Sequence, residues 1–190
     1  MKITLSNTIL DLLHTTHIQH IHPEMQEWFH NPSGQEHYRL LMHMAFCYDN
    51  VKIADIGTFR GASAIALAQN PNNKVFSLDV GVYKNDIPMS NIEFCIGDFQ
   101  TDSKIQESIL KCPFIFLDID HMYTNEIWFY NFLVKNNWKG LMMCDDIYLC
   151  DEMKRFWNEI THPKIDITQY GHFSGTGAVL FGDDINLNLT

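Results

Sequence analysis

The sequence predicts an α/β fold: a doubly wound, mostly parallel seven-stranded sheet with helices on both faces and a C-terminal antiparallel hairpin. Three observations predict it. From residue 51 onward, short apolar runs alternate with helix-length segments. The runs are nearly continuous rather than alternating apolar with polar, which marks strands buried on both faces. The last segment, "KIDITQYGHFSGTGAVLF" (164–181), has two strand-like halves around a Gly/Ser turn and reads as a hairpin.

The elements follow in order. "VKIADI" (51–56) is the first buried strand and the Ala-rich "GASAIALAQN" (61–70) a helix that "PNN" stops. "KVFSLDV" (74–80) and "NIEFCIGDF" (91–99) are the second and third strands. "TDSKIQESILKC" (101–112) opens on an N-cap residue type and continues as a helix. "PFIFLDIDHMY" (113–123) carries the fourth strand, "MYTNEIWFYNFLVKNN" (122–137) a helix and "GLMMCDD" (140–146) the fifth strand. "LCDEMKRFWNEI" (149–160) is a further helix, and the hairpin closes the sheet. Residues 1–50 read as a helical, His-rich cap that belongs to the same domain as the 51–190 core.

Composition narrows the function. The chain has 190 residues, 46% hydrophobic and 19% charged, as expected of one folded domain. A formal net charge of −10 argues against a nucleic-acid surface, which needs clustered Lys and Arg. No run approaches the ~20 apolar residues of a membrane span. "MKITLSNTILDLLHTTH" lacks the basic start, apolar stretch and cleavage site of a signal peptide. The five cysteines form no CxxC pair and mostly sit in apolar runs, consistent with a reducing, cytoplasmic setting.

In open α/β sheets, ligands bind beyond the carboxyl ends of the strands. Here every exit carries an acid: "DIGTFRG", "LDV", "GDF", "DIDH" and "CDD". In the first exit, Gly57 and Gly61 permit a tight turn and close approach to a ligand. The dinucleotide fingerprint would want glycine where Phe59 stands, and the Gly-Lys-Ser/Thr of a phosphate loop is absent. A loop with Asp55 inside it suits a cationic or amino-bearing ligand better than a pyrophosphate.

"DIGTFRGAS" resembles the DxGxxxGxS motif of class I S-adenosylmethionine-dependent methyltransferases, a Rossmann-like family, and the resemblance spans roughly residues 35 to 182. It implies that Asp55, Gly57, Thr58, Gly61 and Ser63 lie at the methionine part of S-adenosylmethionine. It further implies that Asp79 holds the ribose hydroxyls and that Asp98 contacts the adenine, both roles a carboxylate acceptor can fill. A tight βα turn alone would account for Gly57 and Gly61 but leaves Asp79 and Asp98 as coincidences.

Asp118, Asp120 and His121 leave the fourth strand, and Asp145 and Asp146 the fifth. Neighbouring strands lie ~4.8 Å apart, so carboxylates at their ends converge and repel unless a cation joins them. Hard oxygen ligands favour Mg²⁺ or Ca²⁺. The arrangement is similar to that of cation-dependent O-methyltransferases, catechol- and caffeoyl-type and the group acting on macrolide and aminocoumarin sugars. "SGQEHYRLLMHMA" (33–45) resembles the helix preceding the glycine loop in that group. The resemblance implies Mg²⁺ on Asp118, Asp145 and Asp146, with in-line methyl transfer from the sulfonium to a hydroxyl. Asp118 and His121 are then the catalytic candidates, His121 as general base.

Simpler roles compete. Asp120 is equally suited to capping the next helix, His121 to being a polar helix start, and Asp145–Asp146 to an ordinary turn. "DID" also matches the DxD of metal-dependent glycosyltransferases and of haloacid-dehalogenase-like phosphatases. The former leaves the glycine loop unexplained. The latter expects the motif on the first strand and Thr or Val where Met122 stands. His14, His17, His20 and His22 read as cap or surface residues rather than a metal site. His172 and Ser174 are within reach of the site's rim, but a glycine-bearing hairpin turn explains "GHFSGTG" more simply. Trp28, Phe29, Tyr38 and Tyr148 are candidates for a substrate pocket or for core.

The expectation is a Mg²⁺-dependent O-methyltransferase of a small molecule, without nucleic-acid or membrane partners. The apolar N-terminal region is a candidate homodimer contact. The rival is a catalytically silent binding or regulatory module that keeps the cofactor fold.

Overall fold

The computed structural model describes residues 1–30, 32–81 and 87–190. In chain order the elements are β1 (Lys2–Leu5), α1 (Asn7–Leu10), α2 (Pro23–His30), α3 (Pro32–Phe46), β2 (Lys52–Ile56) and α4 (Ala62–Leu67). Next come β3 (Lys74–Asp79), β4 (Ile92–Ile96), α5 (Ser103–Leu110), β5 (Phe114–Leu117), α6 (Tyr123–Lys135) and β6 (Gly140–Cys144). The chain ends with α7 (Asp151–Glu159), β7 (Lys164–Asp166), a 3₁₀ turn (Thr168–Tyr170), β8 (Gly177–Phe181) and β9 (Asn186–Leu189).

Seven strands form one sheet in the order β4-β3-β2-β5-β6-β8-β7. β4 through β6 are mutually parallel, whereas β8 runs antiparallel to both β6 and β7. Alternate strand residues feed two separate cores. Ile53, Val75, Phe114, Phe116, Leu141 and Met143 pack on one face with α3, α4 and the N-terminal residues. Ala54, Phe76, Ile115, Leu117, Met142 and Cys144 pack on the other with α5, α6 and α7. This is why the central strands read as unbroken apolar runs: neither of their faces meets water. The start of α5 is also locally encoded. Asp102 caps α5 by accepting from Lys104 N at 2.8 Å and Ile105 N at 3.3 Å.

One expectation is corrected. Residues 1–50 are not wholly helical, because β1 pairs in parallel with β9, Lys2 opposite Asn186 through Leu5 opposite Leu189. Only Ile3 and Leu5 alternate inward, and their partner strand lies at the far end of the chain. So short a pattern with so distant a partner carries little local signal. The N-terminal residues Ile3, Leu5, Leu10, Phe29 and Leu40 share one apolar cluster with Ile53 and Phe114. Among the described residues no helix is long and apolar enough to cross a membrane, and all five cysteines are free.

The register positions the chemistry. Leu117 lies opposite Ile56 on one side and Cys144 on the other. The next residues continue the ladder: Asp118 N donates to Ile56 O at 2.9 Å and Asp145 N to Leu117 O at 3.0 Å. Asp118 and Asp145 therefore stand side by side at the carboxyl edge, Asp118 bordering the point between β2 and β5 where the sheet's strand order reverses.

Candidate functional site

A cavity of about 750 Å³ opens at that edge. It is lined by Gly57, Asp79, Asp98, Phe99, Asp118 and His121, among others. Four aspartates (Asp79, Asp98, Asp118, Asp120) line it and, among the described residues, no Lys or Arg does. A polyphosphate would find only repulsion there, whereas a ligand bearing a sulfonium or ammonium charge would be attracted.

The glycine loop is held by contacts only glycine allows. Gly57 has φ +95°, and a Cβ on it would stand 1.7 Å from the carbonyl oxygen of Asp118. The loops after β2 and β5 thus touch through backbone, which brings the cavity wall to Asp118. Asp55 lies beneath this loop, fully buried and away from the cavity, with Ser77 Oγ donating to it at 2.8 Å. Burial pushes its carboxyl up to about 6, against the hydroxyls of Ser77, Ser63 and Thr58, which lower it. Thr58 and Ser63 are likewise buried, and Gly61 begins α4 in the left-handed region. Of the five loop residues named from the sequence, Gly57 alone lines the cavity; the others build the turn under it.

Asp79 ends β3 and receives Phe59 N at 2.8 Å on one oxygen and Gly81 N at 3.0 Å on the other. Each oxygen keeps a second lone pair, so the carboxylate is oriented yet still able to accept from a vicinal diol. Asp98 is exposed and receives Gln100 N at 2.8 Å and Thr101 Oγ1 at 3.3 Å. Asp120 receives Met122 N at 3.2 Å and Asn125 Nδ2 at 2.7 Å, so it braces the start of α6 while facing the cavity.

At the other end of the cavity the structure assembles more groups than the sequence suggested. His121 Nε2 lies 3.3 Å from Asp118 Oδ1 and 3.1 Å from Asp146 Oδ2. His172 Nδ1 lies 3.2 Å from Asp146 Oδ1, and Ser174 Oγ contacts both of those atoms. His37, delivered by α3, sits with Nδ1 3.6 Å from Asp145 Oδ1, too far for a hydrogen bond. The rings of His37 and His172 are 5.8 Å apart. The expectation that His172 and Ser174 belong to a plain hairpin turn is thus corrected, since both reach Asp146. His37 was missed because it lies in a helix whose histidines, His37 and His43, carry no distinguishing spacing. Only the fold brings it to β6.

Among the described residues, one group of three has ligand atoms all within 4.8 Å of one another: Asp145, Asp146 and His172. Asp118 stands outside this group, linked to Asp146 through His121. His14, His17 and His20 are exposed and belong to no such group among the described residues.

The electrostatics are those of charges crowded out of water. Burial raises the Asp145 carboxyl well above the usual range, with Asp118 and Asp146 adding to it. Burial likewise raises Asp118, against His121. Burial also acts upward on Asp146, but His121, His172 and Ser174 outweigh it and hold this carboxyl below its ordinary value. The Asp118 and Asp146 carboxylates hold the His121 imidazole up to about 10. Burial drives His37 down to about 3, so it is neutral. Buried atoms normally find partners, yet among the described residues Asp145 Oδ1, His37 Nδ1 and His121 Nε2 have no aligned hydrogen bond. The donor set and these three orphaned atoms fit a bound cation. Glu126, on α6, adds a buried carboxyl with neither oxygen partnered among the described residues, pushed up to about 8 by burial. It too was not singled out from the sequence, where it is one acid in a largely apolar helix.

Backbone strain marks the same edge. Phe59, His121 and Asp146 have φ of +44°, +58° and +56°, one at each of three strand exits. Non-glycine residues held in this region cluster where function over-determines them. Of the aromatic candidates, Phe29 and Tyr38 are core, stacked at 4.3 Å. Tyr148 is exposed and bonded to Asp166 at 2.6 Å. The side chain of Trp28 lies outside the described residues.

No protein-family model matches the chain, and no curated protein does. Solved structures do. Cofactor-bound Rv0187 from MTB is similar with a TM-score of 0.58 and 16% identity, over 80% of this chain and 83% of that one. SAH-bound Podospora anserina methyltransferase PaMTH1 is similar with a TM-score of 0.57 and 12% identity, over 87% and 91%. The O-methyltransferase from Bacillus cereus in complex with SAH is similar with a TM-score of 0.53 and 18% identity, over 79% and 81%. At these identities the likeness is one of fold: the chain has the class I methyltransferase fold.

Proposed function

We propose that this chain is an S-adenosylmethionine-dependent methyltransferase that acts on a hydroxyl of a small molecule with the help of a divalent cation. One observation carries the reading. A single cavity joins Gly57, Asp79 and Asp98 at one end to Asp118 and His121 at the other, beside the Asp145–Asp146–His172 group. Cofactor-type acids and cation-type acids thus open onto the same space. The four aspartates of its lining, with no basic residue among the described lining residues, favour a sulfonium over the diphosphate of a sugar nucleotide, which weighs against the glycosyltransferase alternative.

In this reading S-adenosylmethionine supplies the methyl group, and a bound cation supplies positive charge that lowers the pKa of an acceptor hydroxyl. The chain's own residues do the rest. Asp79, oriented by two backbone N–H groups, accepts the ribose hydroxyls, and Asp98 accepts from the adenine amine. Gly57 lets the cofactor's methionine end lie against backbone. Asp145 and Asp146 hold the cation, with Asp118 beside them, and residues 1–50 cap the 51–190 core. His121 faces the cavity between two carboxylates that keep it protonated at neutral pH. It becomes a base only when those carboxylates are engaged elsewhere, which couples proton removal to a loaded site. Phe59, Met122, Leu149 and Phe173 are exposed apolar side chains on the surrounding loops and supply contact surface for an organic acceptor.

The test combines binding with transfer. Calorimetric titration with S-adenosylmethionine should show micromolar binding, and methyl-labelled cofactor should pass label to hydroxylated acceptors in a cation-dependent manner. Binding without transfer across a broad acceptor panel would favour the silent-module alternative.

A further inference from the structure

Hard carboxylate oxygens alone would select Mg²⁺ or Ca²⁺. The assembled group is different, because an imidazole nitrogen stands among the carboxylates. We propose that this is a mixed nitrogen–oxygen centre in which His172 joins Asp145 and Asp146 as a ligand. It takes a borderline transition ion such as Fe²⁺, Co²⁺ or Zn²⁺ in preference to Mg²⁺. The inference rests on the reading of this cluster as a cation site and is independent of the methyl-transfer chemistry.

Three observations support it. The ligand atoms of Asp145, Asp146 and His172 all lie within 4.8 Å of one another, close enough to share one ion. Asp145 Oδ1 and His37 Nδ1 are buried atoms without a hydrogen-bond partner among the described residues, on side chains only 9% and 7% exposed, and they face each other across 3.6 Å. An unpartnered carboxylate oxygen this deeply buried has a ready explanation as a ligand position. Finally, His172 Nδ1 meets Asp146 and Ser174, and Ser174 Oγ can donate to Asp146 once that nitrogen turns to an ion. In the neutral ring with its proton on Nε2, Nδ1 presents a lone pair to the cluster. Imidazole nitrogen raises affinity for ions along the Mn²⁺ to Zn²⁺ series and does little for Mg²⁺.

The experiment uses the full chain, stripped of metal with a chelator, and titrates it separately with Mg²⁺ and Co²⁺. Any nitrogen–oxygen site favours Co²⁺ to some degree, so the change on mutation is the decisive quantity. His172→Ala should weaken Co²⁺ by about tenfold or more and leave Mg²⁺ nearly unchanged, the size expected when a nitrogen ligand is removed. His172→Asp, which restores an oxygen, should narrow the gap between the two ions. Pulsed electron paramagnetic resonance of the Mn²⁺-loaded wild type needs no variant and should show ¹⁴N modulation from a coordinated imidazole. Equal weakening of both ions by His172→Ala, or absence of ¹⁴N modulation, would overturn the mixed centre while leaving an oxygen-ligated cation site standing. No binding of any of the three ions would overturn the cation reading together with it. Retained S-adenosylmethionine binding in that case would leave the cofactor assignment intact.

Discussion

Glu126→Gln is expected to make the metal-free protein markedly more stable at pH 9 and to change it little at pH 5. Glu126 is 1% exposed, and neither oxygen has a hydrogen-bond partner among the described residues. Burial is the main cause that lifts its carboxyl from 4.5 to about 8; His121 opposes the rise, and Asp118, Asp120 and Asp146 add to it. In the unfolded chain the group ionises near 4.5, and in the folded chain it keeps its proton until about 8. Between those values the folded state binds the extra proton, so stability falls as pH rises through the window and the full penalty is present above it. At ~1.4 kcal/mol per decade, the shift corresponds to about 4 to 5 kcal/mol. Glutamine keeps the shape of the neutral acid but cannot ionise, so it removes that slope. Urea denaturation of both proteins from pH 5 to 9, in the presence of a chelator, gives the difference directly. Parallel pH profiles for variant and wild type would refute the reasoning, because they would mean that Glu126 finds water or a partner when charged.

Further outcomes follow from the same geometry. Gly57→Ala should cost about 3 kcal/mol or more and displace Asp118, since the new Cβ meets its carbonyl oxygen at 1.7 Å with φ at +95°; thermal unfolding and cofactor titration read both effects. In the metal-free protein His121 should titrate near 10 by NMR, and the stability from its two ion pairs should be present below pH 6.5 and lost as pH rises through about 10. Asp102→Ala removes the α5 cap and should cost about 1 kcal/mol without affecting ligand binding. Once an acceptor is found, His121→Gln should lower kcat by about a hundredfold or more with little change in cofactor affinity, the loss expected for a general base.

The central sheet was legible because its strands are buried on both faces, so "VKIADI", "FIFL" and "GLMMC" announce themselves without partners. The strand-exit acids were legible for a related reason: a carboxylate ending an apolar run is conspicuous. What the sequence hid depends on distance along the chain. β1 pairs with a strand more than 180 residues away. His37 and His172 reach the acids only because α3 and the turn before β8 fold over the same sheet edge. Asp55 shows the opposite failure, for it stands in a ligand-binding motif yet points into the interior toward Ser77. A motif gives the backbone path; which side chains face the cavity is decided by packing.

The most direct test is calorimetric titration of the wild type and Asp79→Ala with S-adenosylmethionine, with and without a divalent cation. The account predicts micromolar binding to the wild type that Asp79→Ala abolishes while leaving the fold intact. No binding to the wild type under either condition would contradict it, and the cavity would then have to be reassigned to another cationic ligand.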